Sequence, residues 1–180
     1  DVILIGEIRD AATMEAAIAF AETGHICLAT LHSNNADQTI ERILNFFPEG
    51  AHKNVLMNLA LNLKAVVSQR LVVGVDGRRL PAAEVLINTA AVADNIRDIE
   101  KALNIPDLIA EGTISYGMQS FDQSLMKWYR EGVISYESAL FYSSNPSEFA
   151  LRVSGVSSAS DNTFDDSGKG GLDISQGFTP

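Results

Sequence analysis

Two rhythms of apolar residues run along this chain. Near its start, Val2-Ile3-Leu4-Ile5 is an unbroken β-branched and aliphatic run, the pattern of a parallel strand covered on both faces. Ala11 to Thr23 follows, rich in Ala, Met and Glu, with Asp10 as its cap and Gly24 as its stop. Ile26 to Leu31 is a second short apolar strand, and Ser33-Asn34-Asn35 provides the next cap. Ile40, Ile43, Leu44 and Phe47 then recur at i, i+3, i+4 and i+7, one helical stripe that Pro48 ends. A longer helix is predicted from about Ala51 to Ser68.

Beyond it, Leu71 to Val75, Asp76-Gly77 and Leu80 to Ile87 read as a β-hairpin, since Asp-Gly suits a tight turn. From Ala91 onward the rhythm is wholly helical. Ser120 with Gln123 forms a capping box before a helix that Gly132 ends, and Asn145-Pro146 with Glu148 starts another. After about Gly155 the residues turn to Ser, Asp, Gly and Asn, too polar to offset the entropy of ordering them. The expected organisation is an α/β unit over 1–88, a helical domain over 89–154 and a disordered acidic tail over 155–180.

Composition narrows the classes. The chain has 180 residues, 46% hydrophobic and 20% charged, within the range of a globular domain. A net charge of -10 disfavours general nucleic-acid binding. The single Cys27 excludes an internal disulfide and a multi-cysteine zinc site, and suits a reducing cytosol. The longest apolar stretch, Val55 to Val67, is interrupted by Asn58, Asn62 and Lys64, so no membrane-spanning run is present. Asp1 stands one residue before an apparently central strand, and the chain is therefore expected to be the C-terminal part of a longer protein.

The polar residues at the ends of the apolar runs carry the candidate chemistry. Gly6-Glu7 places a carboxylate at the C-terminal edge of a parallel sheet, where open α/β folds bind ligands. Gly6 lets the backbone approach a bound group. Glu7 there can hold Mg²⁺ through water or polarise a water attacking a phosphate. A loop glutamate paired with Arg9 accounts for the same residues. Thr30 and His32 end the second strand on the edge of Glu7, where an imidazole can bond a phosphate oxygen. His25 lies at the opposite end. Alternation puts Cys27 on the face opposite Thr30 and His32, against a shared zinc site.

Together, DVILIGEIRD and TGHICLATLHSNNA resemble the Walker B and histidine boxes of the secretion-superfamily ATPases, hexameric motors of type IV pili and type II secretion. The likeness continues through ERILNFFP, AVVSQRLV and AAEVLI, and more weakly through GMQSFDQSLMKWYREGVISYESAL. It implies a partial RecA-like P-loop core with a mostly parallel sheet, followed by a helical domain. It implies that Glu7 positions Mg²⁺ and the attacking water, and that His32 senses or stabilises the γ-phosphate of ATP. Gly6, Thr30, His25, Gln69 and Arg70 are implied to lie at the nucleotide.

Departures from the family pattern choose the branch. No cysteine follows Leu71, whereas assembly and secretion motors carry a four-cysteine zinc module there. That favours the retraction branch, the PilT and PilU type, which drives twitching motility. Where that branch reads AIRNLIRE, this chain reads AVADNIRD over Ala91 to Asp98, leaning toward an accessory, PilU-like motor. A non-hydrolysing ring subunit that modulates a paralogous motor and a secretion or assembly ATPase remain as rivals. The resemblance further implies a homo-hexamer, alone or with a paralogue, docked on the inner-membrane pilus platform protein from the cytoplasm. No G-x-x-x-x-G-K-[ST] occurs in these residues, so the chain alone is expected not to turn over ATP at a meaningful rate.

Overall fold

The computed structural model describes residues 1–98 and 105–155. The tail expected to be disordered lies, from residue 156 on, outside the described residues. Strand β1 (Val2–Ile5), helix α1 (Ala11–Glu22) and strand β2 (Ile26–Ala29) form a βαβ unit. The two strands pair in parallel, with Ile3 opposite Cys27 and Ile5 opposite Ala29. Asp10 caps α1 by accepting the N–H of Thr13 at 2.7 Å. Helix α2 (Ala36–Leu44), a 3₁₀ turn over Glu49–Ala51 and helix α3 (His52–Asn62) follow.

Helix α3 ends earlier than its residues predict. Leu63 leaves the helix at φ -58°, ψ 138°, and Ala65–Val73 becomes strand β3. Strand β4 (Arg79–Ile87) pairs with it antiparallel over its whole length, Ala65 opposite Ile87 and Val73 opposite Arg79. The hairpin is thus longer than predicted and takes in residues read as helix. The described strands divide into one parallel and one antiparallel pair.

Six helices complete the described chain: α4 (Ala90–Arg97), α5 (Ile105–Glu111), α6 (Thr113–Tyr116), α7 (Phe121–Arg130), α8 (Tyr136–Tyr142) and α9 (Pro146–Val153). The predicted caps form. Ser120 and Gln123 make a reciprocal capping box, and Asn145 accepts the N–H of Glu148.

Packing gathers into two hydrophobic clusters. The first joins Met14 and Ile18 of α1 to α2, α3, α4 and α5, and reaches Leu86 of β4. The second joins Val72 and Ala82 at the hairpin's outer end to Phe121, Leu125, Met126, Ala139 and Phe149 of the last three helices. β3 and β4 bridge the clusters. The expectation that β1 is covered on both faces is not met. Val2, Leu4, Ile26 and Leu28 are more than half exposed, while Ile5 and Cys27 pack on the first cluster. Among the described residues, every helix that meets this strand pair leaves that second face uncovered.

Candidate active site

Strand geometry assembles the site at the C-terminal edge of β1 and β2. Because the strands are parallel and in register, their exits release Gly6-Glu7 and Thr30 to Ser33 side by side. The Thr30 hydroxyl donates to the carbonyl of Gly6, and the N–H of Ile8 donates to the carbonyl of Thr30 at 2.9 Å. These bonds lock the two loops together. Ile8, 2% exposed, anchors the far side of the Glu7 loop in the first cluster.

Above this base, His32 Nε2 lies 3.1 Å from Glu7 Oε1. The other carboxylate oxygen accepts a hydrogen bond from Arg9. That bond, followed by the charges of Arg9, His32 and Arg42, holds the Glu7 carboxyl below the ordinary glutamate range. Glu7 is therefore a carboxylate at neutral pH. A carboxylate has about four acceptor positions, so Arg9 and His32 leave room for a water. The His32 side chain is 80% exposed and faces outward from the edge.

Gly6, Glu7, Thr30 and His32 are thus brought together, and three predicted residues are not. His25 sits at the other end of β2, where its Nδ1 lies 3.0 Å from the Thr23 hydroxyl and 3.3 Å from the carbonyl of Phe20. Gln69 lies on the exposed face of β3. Arg70 points to the opposite face and covers the ring of Phe121, its guanidinium carbon 3.9 Å from the centroid. Its Nη1 donates to the carbonyl of Tyr142 at 3.1 Å and the hydroxyl of Ser144 at 3.3 Å.

The cap segment predicted after His32 is held by partners that were not predicted, Thr39, Gln38 and Glu84. The Ser33 hydroxyl is 2.6 Å from that of Thr39, and Asn34 Nδ2 donates to Gln38 Oε1 at 2.8 Å. The buried Glu84 of β4 accepts the N–H of Ala36 at 2.8 Å. The signal for Glu84 was available: it is a carboxylate in phase with inward-facing Ala82 and Leu86.

Chemically, the edge offers one ionised carboxylate, one imidazole and, at Gly6, open space beside the backbone. Among the described residues, no group of three or more His, Cys, Asp and Glu side chains forms a metal cage. A lone carboxylate does fit Mg²⁺, which keeps its waters and takes further oxygens from phosphates.

The type II/IV secretion system protein family matches residues 1–98. The type IV pilus ATPase PilU of Pseudomonas aeruginosa is 49% identical over 154 residues, 85% of this chain and 40% of that protein. The retraction ATPase PilT of the same organism is 37% identical over 149 residues, 83% of this chain and 43% of that protein. A crystal structure of the pilus retraction motor PilT with bound ADP superposes with a TM-score of 0.70 at 36% identity, covering 82% of this chain and 41% of that one. The chain therefore spans about two fifths of the length of these curated relatives. On this fold and these matches, the chain belongs to the type II/IV secretion system protein family and is of its PilT/PilU type.

Proposed function

We propose that this chain is the C-terminal part of an ATP-hydrolysing motor that powers type IV pilus retraction and twitching motility. The observation that carries the reading is the 3.1 Å contact between His32 and Glu7 on the exit edge of a parallel strand pair. In this reading Glu7 orients a water and polarises it toward the γ-phosphate of ATP. The water oxygen bonds to phosphorus as the bond to the bridging oxygen breaks, and ADP leaves. On ATP binding the His32 Nε2–H turns from Glu7 to a γ-phosphate oxygen, and Gly6 with Thr30 lets the nucleotide approach the backbone. His25 supports the far end of β2.

Little covalent work falls to the protein here; positioning and electrostatics supply the acceleration. Mg²⁺, when bound, neutralises charge on the phosphate oxygens, and Glu7 is the residue that would hold it through water. The phosphate-binding loop is not among these residues. The open face of β1 and β2, with Val2, Leu4, Ile26 and Leu28, is apolar surface of the kind another layer of the ATPase core would cover. We further propose a ring of six copies, alone or with a paralogous motor, seated on the cytoplasmic side of the inner-membrane pilus platform. Among the described residues no helix is long and apolar enough to cross a membrane.

One observation favours an accessory, non-hydrolysing ring subunit. In the segment that departs from AIRNLIRE, Ala93 takes the place of an arginine and is buried in the first cluster. Arg97 in the same helix is bonded to Asp94 at 2.6 Å. The two readings separate in one assay: Mg²⁺-dependent ATP turnover by the purified full-length protein without its paralogue. Robust turnover supports the motor. Turnover at background, with ATP still bound, supports the accessory subunit.

A further inference from the structure

We propose that Glu84 is a positioning residue for the Glu7–His32 pair, tying the loop that carries His32 to the β3–β4 hairpin and through it to the C-terminal helices. The proposal rests on reading Glu7 and His32 as the γ-phosphate pair. Glu84 stands in the middle of β4 and is 7% exposed. Its Oε1 accepts the N–H of Ala36 at 2.8 Å. Ala36 is fully buried and opens α2, and an N–H in a helix's first turn has no partner within the helix. Glu84 supplies that partner from another layer of the fold.

The span between His32 and Ala36 has little slack. Ser33 is bonded to Thr39 and Asn34 to Gln38, and Asn35 caps α2 by accepting the N–H of Gln38 at 2.8 Å. At its other end, Thr30 is locked to Gly6 and Ile8. The loop that presents His32 is therefore stretched between two anchors, the exit of β1 and the carboxylate of Glu84.

The neighbours of Glu84 are gripped from the helical side. Val85 and Gln119 exchange backbone hydrogen bonds at 2.7 and 3.0 Å. Gln119 Nε2 donates to the carbonyl of Ala83 at 2.8 Å, and the Ser124 hydroxyl accepts the N–H of Ala83 at 3.2 Å. A displacement of α7 consequently moves β4 at residues 83 to 85. Glu84 and Asn35 also share the wall of a cleft of about 650 Å³ with Asp122, Arg130 and Glu148 of the helical part. Motion that opens or closes this cleft acts on Glu84, and a bond shielded from water passes it to the first turn of α2.

A double-mutant cycle read on the His32 ring tests the lever in the 180-residue chain. Gln119→Ala removes the side-chain grip on Ala83. It should shift the His32 imidazole resonances in the native background and leave them unmoved in the Glu84→Ala background. Glu84→Met, which fills the same space without an acceptor, serves if the alanine chain does not fold. Equal shifts with and without the carboxylate overturn the proposal. In the full-length protein, Glu84→Ala should lower kcat roughly tenfold or more with KM little changed. Glu84→Gln, whose amide oxygen still accepts the Ala36 N–H, should restore most of the rate; equal loss in both variants overturns the hydrogen-bond role. The resonance measurement needs no turnover. A coupled His32 in a protein without ATPase activity therefore refutes the catalytic reading and leaves the lever standing.

Discussion

Arg70 offers a sharp test, because sequence resemblance and structure assign it different work. The structure has it hold the C-terminal helices onto β3, through Phe121 of α7 and the α8–α9 junction. Replacing it by Met keeps an apolar stem of similar length and removes the guanidinium. Loss of the cation–π contact costs about 1 kcal/mol for a partly desolvated pair. Loss of a charged hydrogen bond to the Tyr142 carbonyl costs about 2 kcal/mol. Together the change is about 3 kcal/mol. With a urea dependence of about 2 kcal/mol per molar, the midpoint should fall by about 1.5 M. Trp128 packs in the second cluster and is the single tryptophan, so its fluorescence reports the unfolding of that part of the molecule. Arg70→Lys should fall between, keeping the charge but not the planar contact with the ring. An unchanged midpoint in Arg70→Met, together with a tenfold loss of nucleotide affinity in the full-length protein, would refute this assignment.

Three further outcomes are expected. A Cβ on Gly112 would meet the Met118 sulfur at 2.7 Å and the Leu108 carbonyl at 2.9 Å, so Gly112→Ala should cost about 1–3 kcal/mol; a neutral or raised melting temperature contradicts the packing. Leu4→Lys with Leu28→Glu, cross-strand partners on the open face of the β1–β2 pair, should leave stability within about 0.5 kcal/mol and reduce concentration-dependent light scattering of the 180-residue chain. Unchanged scattering would show that this face drives no association. Burial raises the Glu84 carboxyl above its ordinary value of 4.5, so folding favours its protonated form. Its contribution to stability is full below that value and is lost as pH rises through the folded-state value. Glu84→Gln should flatten the decline in stability across this window, and a curve parallel to the native one contradicts the burial argument.

Much of this fold is written in local chemistry. Asp10, Asn35, Ser120 with Gln123, and Asn145 each cap the helix their residues announce. The apolar runs Val2 to Ile5 and Ile26 onward pair as expected, which is why Glu7 and His32 meet. What failed depends on distant partners. The β-branched pair Val66-Val67 announces strand β3, but Ala60 to Lys64 carries no Gly or Pro, so no local breaker marks the end of α3. Asn88 marks it instead, donating to the carbonyls of Ala60 and Leu63 from the far end of the hairpin. The position of Arg70 likewise depends on a residue distant in sequence, Phe121, fifty-one positions later, whose ring it covers. The open face of β1 and β2 shows the converse. Its residues are those of a strand buried on both sides, and the described elements cover one.

The pairing of Glu7 with His32 is the point on which the motor reading stands. Glu7→Gln preserves size and one hydrogen-bond acceptor while removing the charge that, in the proposed mechanism, orients and polarises the attacking water. Single-turnover hydrolysis and equilibrium ATP binding should be measured on this variant of the full-length protein. Hydrolysis should fall by roughly a hundred- to a thousandfold, with ATP retained at near-native affinity. Hydrolysis at the native rate would contradict the assignment of Glu7 as the residue that positions the attacking water.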